Sequence, residues 1–227
     1  MLIQNRNTYT DGIENLDPYF TCPEAVASLL RLEGERLPQR IWEPACGDGA
    51  IVRPLIAAGR DVIASDIHAY DGRPDDRMVF DYLATPPFPD SIEGIVTNPP
   101  YRQAQAFAEK ALVEAPYVAL LVRSNFYVEA AERDAFFAAW PPTRVWLSSR
   151  RLPAMHRYRW TGNRVASNTP YCWLVWERGM PPSLPQRFDW RKLLDRARKV
   201  GAKRTFKQPA MAPAAASRSP RERCALF

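Results

Sequence analysis

Hydrophobic residues along the chain fall into two alternating patterns. Apolar runs predict strands at 41–42, 61–66, 92–97 and 117–122, and a strand together with its edge turn at 78–83. Apolar residues at helical spacing predict helices at 23–33, 51–58, 103–114 and 129–140. Strands that alternate with helices favour a parallel sheet that helices cover on both faces.

Two more strands are predicted at 144–147 and 171–176, with no helical pattern between them. We expect them to pair as an antiparallel hairpin whose loop is the long connection 148–170. The predicted fold class is therefore α/β, a doubly wound, mostly parallel sheet that ends in an antiparallel hairpin. Ligands of such sheets bind beyond the carboxyl ends of the strands, so the turns at that edge are the candidate site.

The segments outside this sheet have a different composition. Residues 1–16 form a polar arm, and the sheet with its helices occupies 17–178. The region 179–200 contains a predicted basic helix, at 189–200. The tail 201–227 is rich in Ala, Pro, Ser and Arg, and we expect it to be disordered.

Composition excludes several classes of protein. The chain has 227 residues, of which 46% are hydrophobic and 25% charged, so it can bury the core of one domain. No run approaches the ~20 apolar residues of a membrane span, and the polar start shows no secretory signal. The four cysteines lie far apart, so we predict neither a metal site nor a disulfide framework. The expected location is a reducing cytoplasm.

Charge is distributed unevenly along the chain. Residues 1–135 carry 12 Lys and Arg against 21 Asp and Glu, whereas residues 136–227 carry 19 against 4. Six of the seven tryptophans also lie in the second part. A basic region rich in aromatic residues is typical of a surface that contacts nucleic acid.

The turn after the first predicted strand, Glu43–Ala50, reads EPACGDGA. Gly47 and Gly49 allow positive φ and close approach of the backbone to a ligand, although a plain strand–helix turn also uses glycine. Asp66 ends the second strand, where an acid can accept hydrogen bonds from both hydroxyls of a ribose or cap a helix. Asp81 follows the third strand and could accept from an adenine amine or belong to an ordinary turn.

A second unusual turn, Asn98-Pro99-Pro100-Tyr101, follows the apolar strand 92–97. Two prolines fix the backbone and remove two N–H donors, so the turn presents acceptors, the side-chain oxygen of Asn98 and the carbonyl of Pro99. Tyr101 adds a planar aromatic face. Two acceptors beside a stacking ring suit a planar group that carries an exocyclic NH₂.

Together these motifs resemble those of the class I S-adenosylmethionine-dependent methyltransferases, which have a Rossmann-like fold, and in particular the amino-group methylators with an Asn-Pro-Pro-Tyr turn. The segment Tyr19–Pro23 and the last predicted strand are similar to those of small phage-type DNA adenine-N6 methyltransferases. The likeness covers about residues 17–178. The chain departs from the family at Cys22, where Pro is usual, and it lacks a large separate target-recognition domain.

The resemblance implies S-adenosylmethionine as the cofactor and the amine of adenine in DNA as the methyl acceptor. It implies cofactor binding by Thr21, Pro23, Glu43, Ala45, Gly47, Gly49, Asp66 and Asp81. It also implies that Asn98 and Pro99 hold the target amine, with Pro100 in the same turn, and that Tyr101 stacks on the target base.

A base inside a duplex must leave the stack to reach such a turn, and a basic surface has to hold the strand. The connection 148–170 interleaves arginines with aromatic residues, although a solvated loop could do the same. Its predicted nucleic-acid contacts are Arg150, Arg151, Arg157, Tyr158, Arg159, Trp160 and Arg164.

Three alternatives stay open. Asn-Pro-Pro-Tyr turns also occur in methylators of RNA base amines and of protein glutamine, and a protein that keeps the fold could bind nucleic acid without catalysis. The basic region argues against a protein substrate but not against RNA. The intact acids, the glycines and Asn98 argue against a loss of activity.

Overall fold

The computed structural model describes residues 19–70, 78–86, 92–129, 131–155 and 167–195. The strands in these ranges are β1 (Arg40–Glu43), β2 (Asp61–Asp66), β3 (Met78–Val79), β4 (Gly94–Thr97), β5 (Tyr117–Arg123), β6 (Arg144–Ser148), β7 (Tyr171–Glu177) and β8 (Gln186–Phe188). The helices are α1 (Pro23–Glu33), α2 (Val52–Ala57), α3 (Ala104–Glu114), α4 (Asn125–Val128) and α5 (Asp134–Ala139), and residues 190–195 are also helical. None of the helices in these ranges is long and apolar enough to cross a membrane.

All eight strands form one sheet, in the order β3-β2-β1-β4-β5-β7-β6-β8. Strands β1 to β5 pair in parallel. Strand β7 runs antiparallel between β5 and β6, so the predicted hairpin is confirmed, and with it the mostly parallel α/β fold class. Because β8 is parallel to β6, the ends of β5, β6 and β8 share one edge of the sheet with the start of β7. We call this the carboxyl edge.

The sheet is covered on both faces, as its apolar strands require. Helices α1 and α2 pack on one face, where they meet Ala119 and Leu121 of β5. Helices α3 and α5 pack on the other face, against Val118 and Leu120 of the same strand. Six consecutive residues of β5 are therefore buried, which explains why its sequence is continuously apolar rather than alternating.

A buried charge network sets the position of α1. Glu33, the last residue of α1, is fully buried and accepts hydrogen bonds from Arg144 at 2.8 Å, Trp146 at 2.7 Å and Tyr117 at 3.2 Å. Arg144 also pairs with Glu177 at 2.7 Å, so its guanidinium bonds to two carboxylates. A buried charge is tolerable only when it is paired in this way. The network anchors α1 to β5, β6 and β7, and so positions the segment that precedes α1.

Two predictions of local structure were wrong. The expected helix at 129–140 is shorter than predicted: it consists of a 3-10 turn at Ala131–Arg133 and α5, and the separate helix α4 ends just before it. Arg133 donates to the Phe126 carbonyl at 3.1 Å and lies over the Phe126 ring, which folds the chain back at this point. Strand β8 was not expected at all, because it has three residues, of which only Phe188 is buried, and three prolines precede it within five residues.

The domain boundaries stay predictions. The polar arm at 1–16 and the tail at 201–227 lie outside the described residues, as do residues 156–166 in the loop of the β6–β7 hairpin. Three of the four cysteines, Cys22, Cys46 and Cys172, are described, and each is buried.

Candidate active site

A pocket opens at the carboxyl edge, between the turns that follow β1, β2 and β4. Its wall contains these predicted site residues: Thr21, Ala45, Gly47, Asp66, Asp81, Asn98, Pro99, Pro100 and Tyr101. Pro23, Glu43 and Gly49 do not lie on the wall. The glycine turn and the Asn-Pro-Pro-Tyr turn, which are far apart in sequence, thus face the same pocket.

Gly47 and Gly49 shape the turn between β1 and α2. Both have positive φ, 51° and 84°, a conformation that residues with a Cβ rarely adopt. The Gly47 amide donates to Asp66 Oδ2 at 2.8 Å, and a Cβ on Gly47 would lie 3.0 Å from the Phe20 ring. Gly49 donates to the Cys46 carbonyl at 2.7 Å. Gly47 therefore brings backbone to the pocket wall, whereas Gly49 closes the turn behind it.

Glu43, the last residue of β1, is fully buried. Its Oε1 accepts from the Ala45 amide at 3.2 Å, and its Oε2 has no hydrogen-bond partner among the described residues. Burial raises the pKa of Glu43 to about 8, although the Thr97 side chain and the Ala45 amide lower it, and the Asp66 carboxylate adds to the rise. The carboxyl is therefore mostly neutral at pH 7, and a cation bound close to it would favour the ionised form.

Asp66 and Asp81 bring carboxylate oxygens to the pocket wall. Asp66 is 6% exposed, and its two oxygens accept from the amides of Gly47 at 2.8 Å and His68 at 3.0 Å. Each oxygen can accept a second hydrogen bond, so Asp66 can still bind hydroxyl groups. Asp81 Oδ1 accepts from the Leu83 amide at 2.9 Å, which orients this carboxylate within its turn. No group of three or more His, Cys, Asp or Glu side chains that could hold a metal ion occurs in the described ranges.

Asn98 follows β4, whose residues are all buried. Its Nδ2 donates to the Tyr19 carbonyl at 3.2 Å and to Thr21 Oγ1 at 3.1 Å. Because a carbonyl can only accept, the Tyr19 contact identifies which amide atom is nitrogen. Asn98 Oδ1 is buried and has no hydrogen-bond partner within the described part of the chain. A buried acceptor without a hydrogen bond destabilises the fold. Asn98 Oδ1 is therefore suited to accept a hydrogen bond from a ligand.

Tyr101 begins a 3-10 helix of one turn, Tyr101–Gln103, which leads into α3. Its hydroxyl lies 2.8 Å from Tyr171 Oη, and its ring centroid lies 5.5 Å from that of Tyr19, with the rings tilted by 32°. The central carbon of the Arg123 guanidinium lies 3.8 Å from the centroid of the Tyr101 ring. The ring is therefore held at its hydroxyl and against its face, as a stacking platform requires.

Sequence reasoning missed several residues that the fold adds to this site. Phe20 and Tyr70 both line the pocket, and their rings meet edge to face at 5.4 Å. Met155 Sδ lies 3.7 Å from Asn98 Nδ2 and 3.9 Å from Tyr101 Oη. The position of Phe20 beside Thr21 was a usable signal, because that segment was already expected near the cofactor. Nothing in the pattern distinguishes Met155 from an ordinary loop residue.

The predicted nucleic-acid contacts are described only in part. Arg150 and Arg151 follow β6 at the carboxyl edge, and both are exposed. Arg150 Nε pairs with Asp189 at 3.1 Å, and Arg151 donates to the Asn168 carbonyl at 2.8 Å. The other predicted contacts lie outside the described residues: Arg157, Tyr158, Arg159, Trp160 and Arg164.

Further basic residues follow β8 at the carboxyl edge, because β8 ends beside the end of β6. Trp190 Nε1 donates to the Arg151 carbonyl at 3.1 Å, and the Arg191 guanidinium carbon lies 5.1 Å from the Trp190 ring centroid. Arg191 and Lys192 are exposed. We refer to Arg150, Arg151, Arg191 and Lys192 as the basic edge.

The sequence matches no protein-family model and no curated protein. Among solved structures, the chain is similar to a Pyrococcus horikoshii protein assigned as an RNA methyltransferase, with a TM-score of 0.54 and 14% identity over 77% of this chain and 94% of that one. It is also similar to the methyltransferase subunit of a type I restriction-modification system from Streptococcus thermophilus, with a TM-score of 0.53 and 11% identity over 81% of this chain and 53% of that one.

A modification subunit assigned to a type I restriction enzyme of Vibrio vulnificus has a TM-score of 0.54 and 10% identity, over 84% of this chain and 54% of that one. The chain thus spans about half the length of each restriction-system subunit. At these identities the similarity concerns the fold. The chain has the Rossmann-like α/β fold of these methyltransferases, as the sequence motifs implied.

Proposed function

We propose that this protein transfers a methyl group from S-adenosylmethionine to the exocyclic amine of adenine in DNA. The observation that carries the proposal is the state of Asn98 Oδ1, a buried acceptor without a partner among the described residues, in a turn that lines the pocket. An amide oxygen beside the Tyr101 ring suits a planar group that donates from an NH₂. The methyltransferase fold supports the reaction class.

The donor set of the pocket fits S-adenosylmethionine, which supplies an electrophilic methyl group on a sulfonium sulfur when bound. Asp66 offers acceptors for the ribose hydroxyls, and Asp81 would accept from the adenine amine of the cofactor. Because Gly47 has no Cβ, the Phe20 ring can pack against its backbone, and this ring adds an apolar wall to the pocket. Glu43 is fully buried next to Pro44 and Ala45, which line the pocket, and a cationic ligand close to it would favour ionisation of its carboxyl.

The residues of the Asn98 turn would activate the target amine by hydrogen bonding. The amine of adenine is a poor nucleophile because its lone pair is delocalised into the ring. Asn98 Oδ1 and the Pro99 carbonyl would accept its two hydrogens, and acceptors placed off the ring plane would pull the nitrogen toward tetrahedral geometry. The lone pair then becomes localised and aligned, and such alignment accounts for much of the acceleration in reactions of this kind.

A nucleic-acid substrate agrees with the charge around the pocket. The basic edge and Asn98 lie at the same edge of the sheet, because both follow strands that end at the carboxyl edge. Its cations would contact phosphates and provide affinity that depends on salt. A target adenine extruded from the duplex would then stack on Tyr101, as enzymes that modify bases require.

A second candidate is methylation of a base amine in RNA. The Pyrococcus horikoshii structure supports it, just as the two restriction-system subunits support DNA. The basic edge does not discriminate, since phosphate contacts position a strand without reading it. DNA is favoured by the Tyr19–Pro23 segment and by the last strand, which are similar to those of DNA adenine methyltransferases. A protein glutamine substrate is disfavoured by the basic edge.

The test combines the full chain with isotopically labelled S-adenosylmethionine and, separately, with duplex DNA, single-stranded DNA, RNA and a protein mixture. Mass spectrometry then identifies the methylated group, and N6-methyldeoxyadenosine is the expected product. Methylation of cytosine, RNA or protein would overturn the proposed substrate. Cofactor binding by calorimetric titration without methyl transfer to any of these substrates would overturn the proposed catalysis.

A pair of amide variants tests the role of Asn98. Asn98→Ala removes the unpartnered acceptor, so methyl transfer should fall by about 100-fold or more while the cofactor still binds. Gln186→Ala is the matched control, because this exposed amide lies on β8, four strands away from β4 in the sheet. A collapse of cofactor affinity in Asn98→Ala, or equal activity in both variants, would contradict the assigned role.

A further inference from the structure

Arg123 ends β5 at the carboxyl edge, next to the Asn98 turn. Strand β5 pairs with β4, which leads into Asn98, and Arg123 itself lies opposite Tyr171 on β7. Its guanidinium carbon lies 3.8 Å from the centroid of the Tyr101 ring. A cation is therefore stacked on the ring that the proposed function assigns to the target base.

Within the described ranges no carboxylate pairs with Arg123, whereas other arginines of the fold have such partners. Arg144 pairs with two carboxylates, at 2.8 and 2.7 Å, and Arg150 pairs with Asp189 at 3.1 Å. Arg123 Nε is buried and has no hydrogen-bond partner among the residues that the structure describes. Withdrawing a guanidinium donor from water without an acceptor costs free energy, and stacking on an aromatic ring recovers only part of it.

The stacked position indicates which ligand chemistry this cation would bind. Stacking uses the flat face of a guanidinium, whereas its N–H donors lie in the plane and remain available at its edge. A guanidinium carries only hydrogen-bond donors, so its partner must be a hydrogen-bond acceptor. A phosphate accepts two such hydrogen bonds in parallel. Arg123 does not lie on the wall of the pocket that fits the cofactor, so the carboxylate of the cofactor is the less favoured partner.

We propose that Arg123 binds a phosphate that flanks the target nucleotide while the base of that nucleotide lies against Tyr101. This inference rests on the proposed function, since it requires a nucleotide at the Asn98 turn. Arg123 would then act on one nucleotide, whereas the basic edge would contact phosphates along the strand. A substrate that carries its base on a phosphodiester backbone would thereby be favoured over a free nucleoside.

The first test measures how the DNA affinity of Arg123→Gln depends on salt concentration. The DNA is the duplex that the wild type methylates, and S-adenosylhomocysteine is present. Loss of one phosphate contact should weaken binding by about tenfold or more at low salt and should reduce the salt slope by about one. Arg123→Lys keeps the charge, so it should keep the slope. Arg178→Gln is the control, because Arg178 follows β7 at the opposite edge of the sheet. An unchanged slope in Arg123→Gln would overturn the proposal.

The second test uses the wild-type protein and so does not depend on the folding of a variant. Each phosphate that flanks the target adenosine is replaced in turn by an uncharged methylphosphonate. We expect one replacement to weaken wild-type binding about tenfold and to add nothing to the loss in Arg123→Gln. Equal losses in both proteins, or reduced S-adenosylmethionine affinity in Arg123→Gln, would overturn the phosphate contact. The proposed function fails by a separate result, namely no methyl transfer to adenine by the wild type.

Discussion

The side-chain amide of Asn98 donates to the hydroxyl of Thr21 at 3.1 Å, across 77 positions of sequence. The same nitrogen donates to the Tyr19 carbonyl at 3.2 Å, so both amide hydrogens have acceptors. The Asn98 oxygen, in contrast, has no hydrogen-bond donor among the described residues. The segment before α1 therefore orients the group that would bind the target amine, in addition to lining the pocket.

Thr21→Val should lower kcat about tenfold, because the valine offers no acceptor and one hydrogen of the Asn98 amide loses its partner. Thr21→Ser keeps the hydroxyl and should restore most of the activity. Steady-state methyl-transfer kinetics with both variants provide the measurement. Equal losses in the two variants would contradict a role for the hydroxyl and would indicate a packing effect instead.

Tyr101→Ala should abolish methyl transfer while the cofactor still binds, because the base would lose its stacking surface. Tyr101→Phe keeps the ring and loses the hydroxyl with its contacts to Tyr171 Oη and Met155 Sδ, so its activity should stay within about tenfold of the wild type. Methyl-transfer assays and calorimetric titration with S-adenosylmethionine measure the two properties. Loss of cofactor affinity in Tyr101→Ala would place this residue in the cofactor site.

Glu43→Gln should change how stability depends on pH. Burial raises the pKa of Glu43 from 4.5 to about 8, so between these values the folded chain holds a proton that the unfolded chain has released. The contribution of this group to stability therefore falls as pH rises through that window, by about 1.4 kcal/mol per pH unit at most. Urea unfolding of both proteins from pH 5 to 8 measures the difference. The wild type should lose stability relative to Glu43→Gln as pH rises, and parallel curves would contradict a raised pKa.

Replacement of Arg157 and Arg159 by Ala should weaken nucleic-acid binding and reduce its salt slope by about two, one for each lost phosphate contact. Both residues belong to the hairpin loop and lie outside the described residues, so the prediction rests on the sequence. Filter binding across a range of salt concentrations provides the test. Unchanged binding would show that the loop is a solvated surface.

The strands and most helices could be predicted because their signals are local. Helix α1 and strand β2 have the predicted bounds, since a regular apolar pattern and turn residues mark both ends. The prediction failed where packing overrides the local pattern. Within 129–140, Arg133 contacts Phe126 at the start of the shortened helix, and the short strand β8 is held by its pairing with β6.

Part of the candidate site could also be predicted, because its sequence signals are local. Glycines and prolines restrict the backbone wherever they occur, so the turns at Gly47 and Asn98 could be identified without knowledge of their surroundings. Sequence also placed Asp66 and Asp81 at strand ends, and the structure brings both to the pocket. The contribution of Met155 could not be predicted, because it depends on how residues 149–155 fold after β6.

The sequence by itself determined the parallel strands, the two unusual turns and the residue types that each turn carries. Only the tertiary structure decided which side chains meet: Thr21 with Asn98, Arg123 with Tyr101, and the buried Glu33 with Arg144. The physical reason is that hydrophobic periodicity specifies which face of an element is buried, but not which element covers it. Strand order decides that, and here the insertion of β7 between β5 and β6 places Tyr171 and Arg123 side by side at the carboxyl edge.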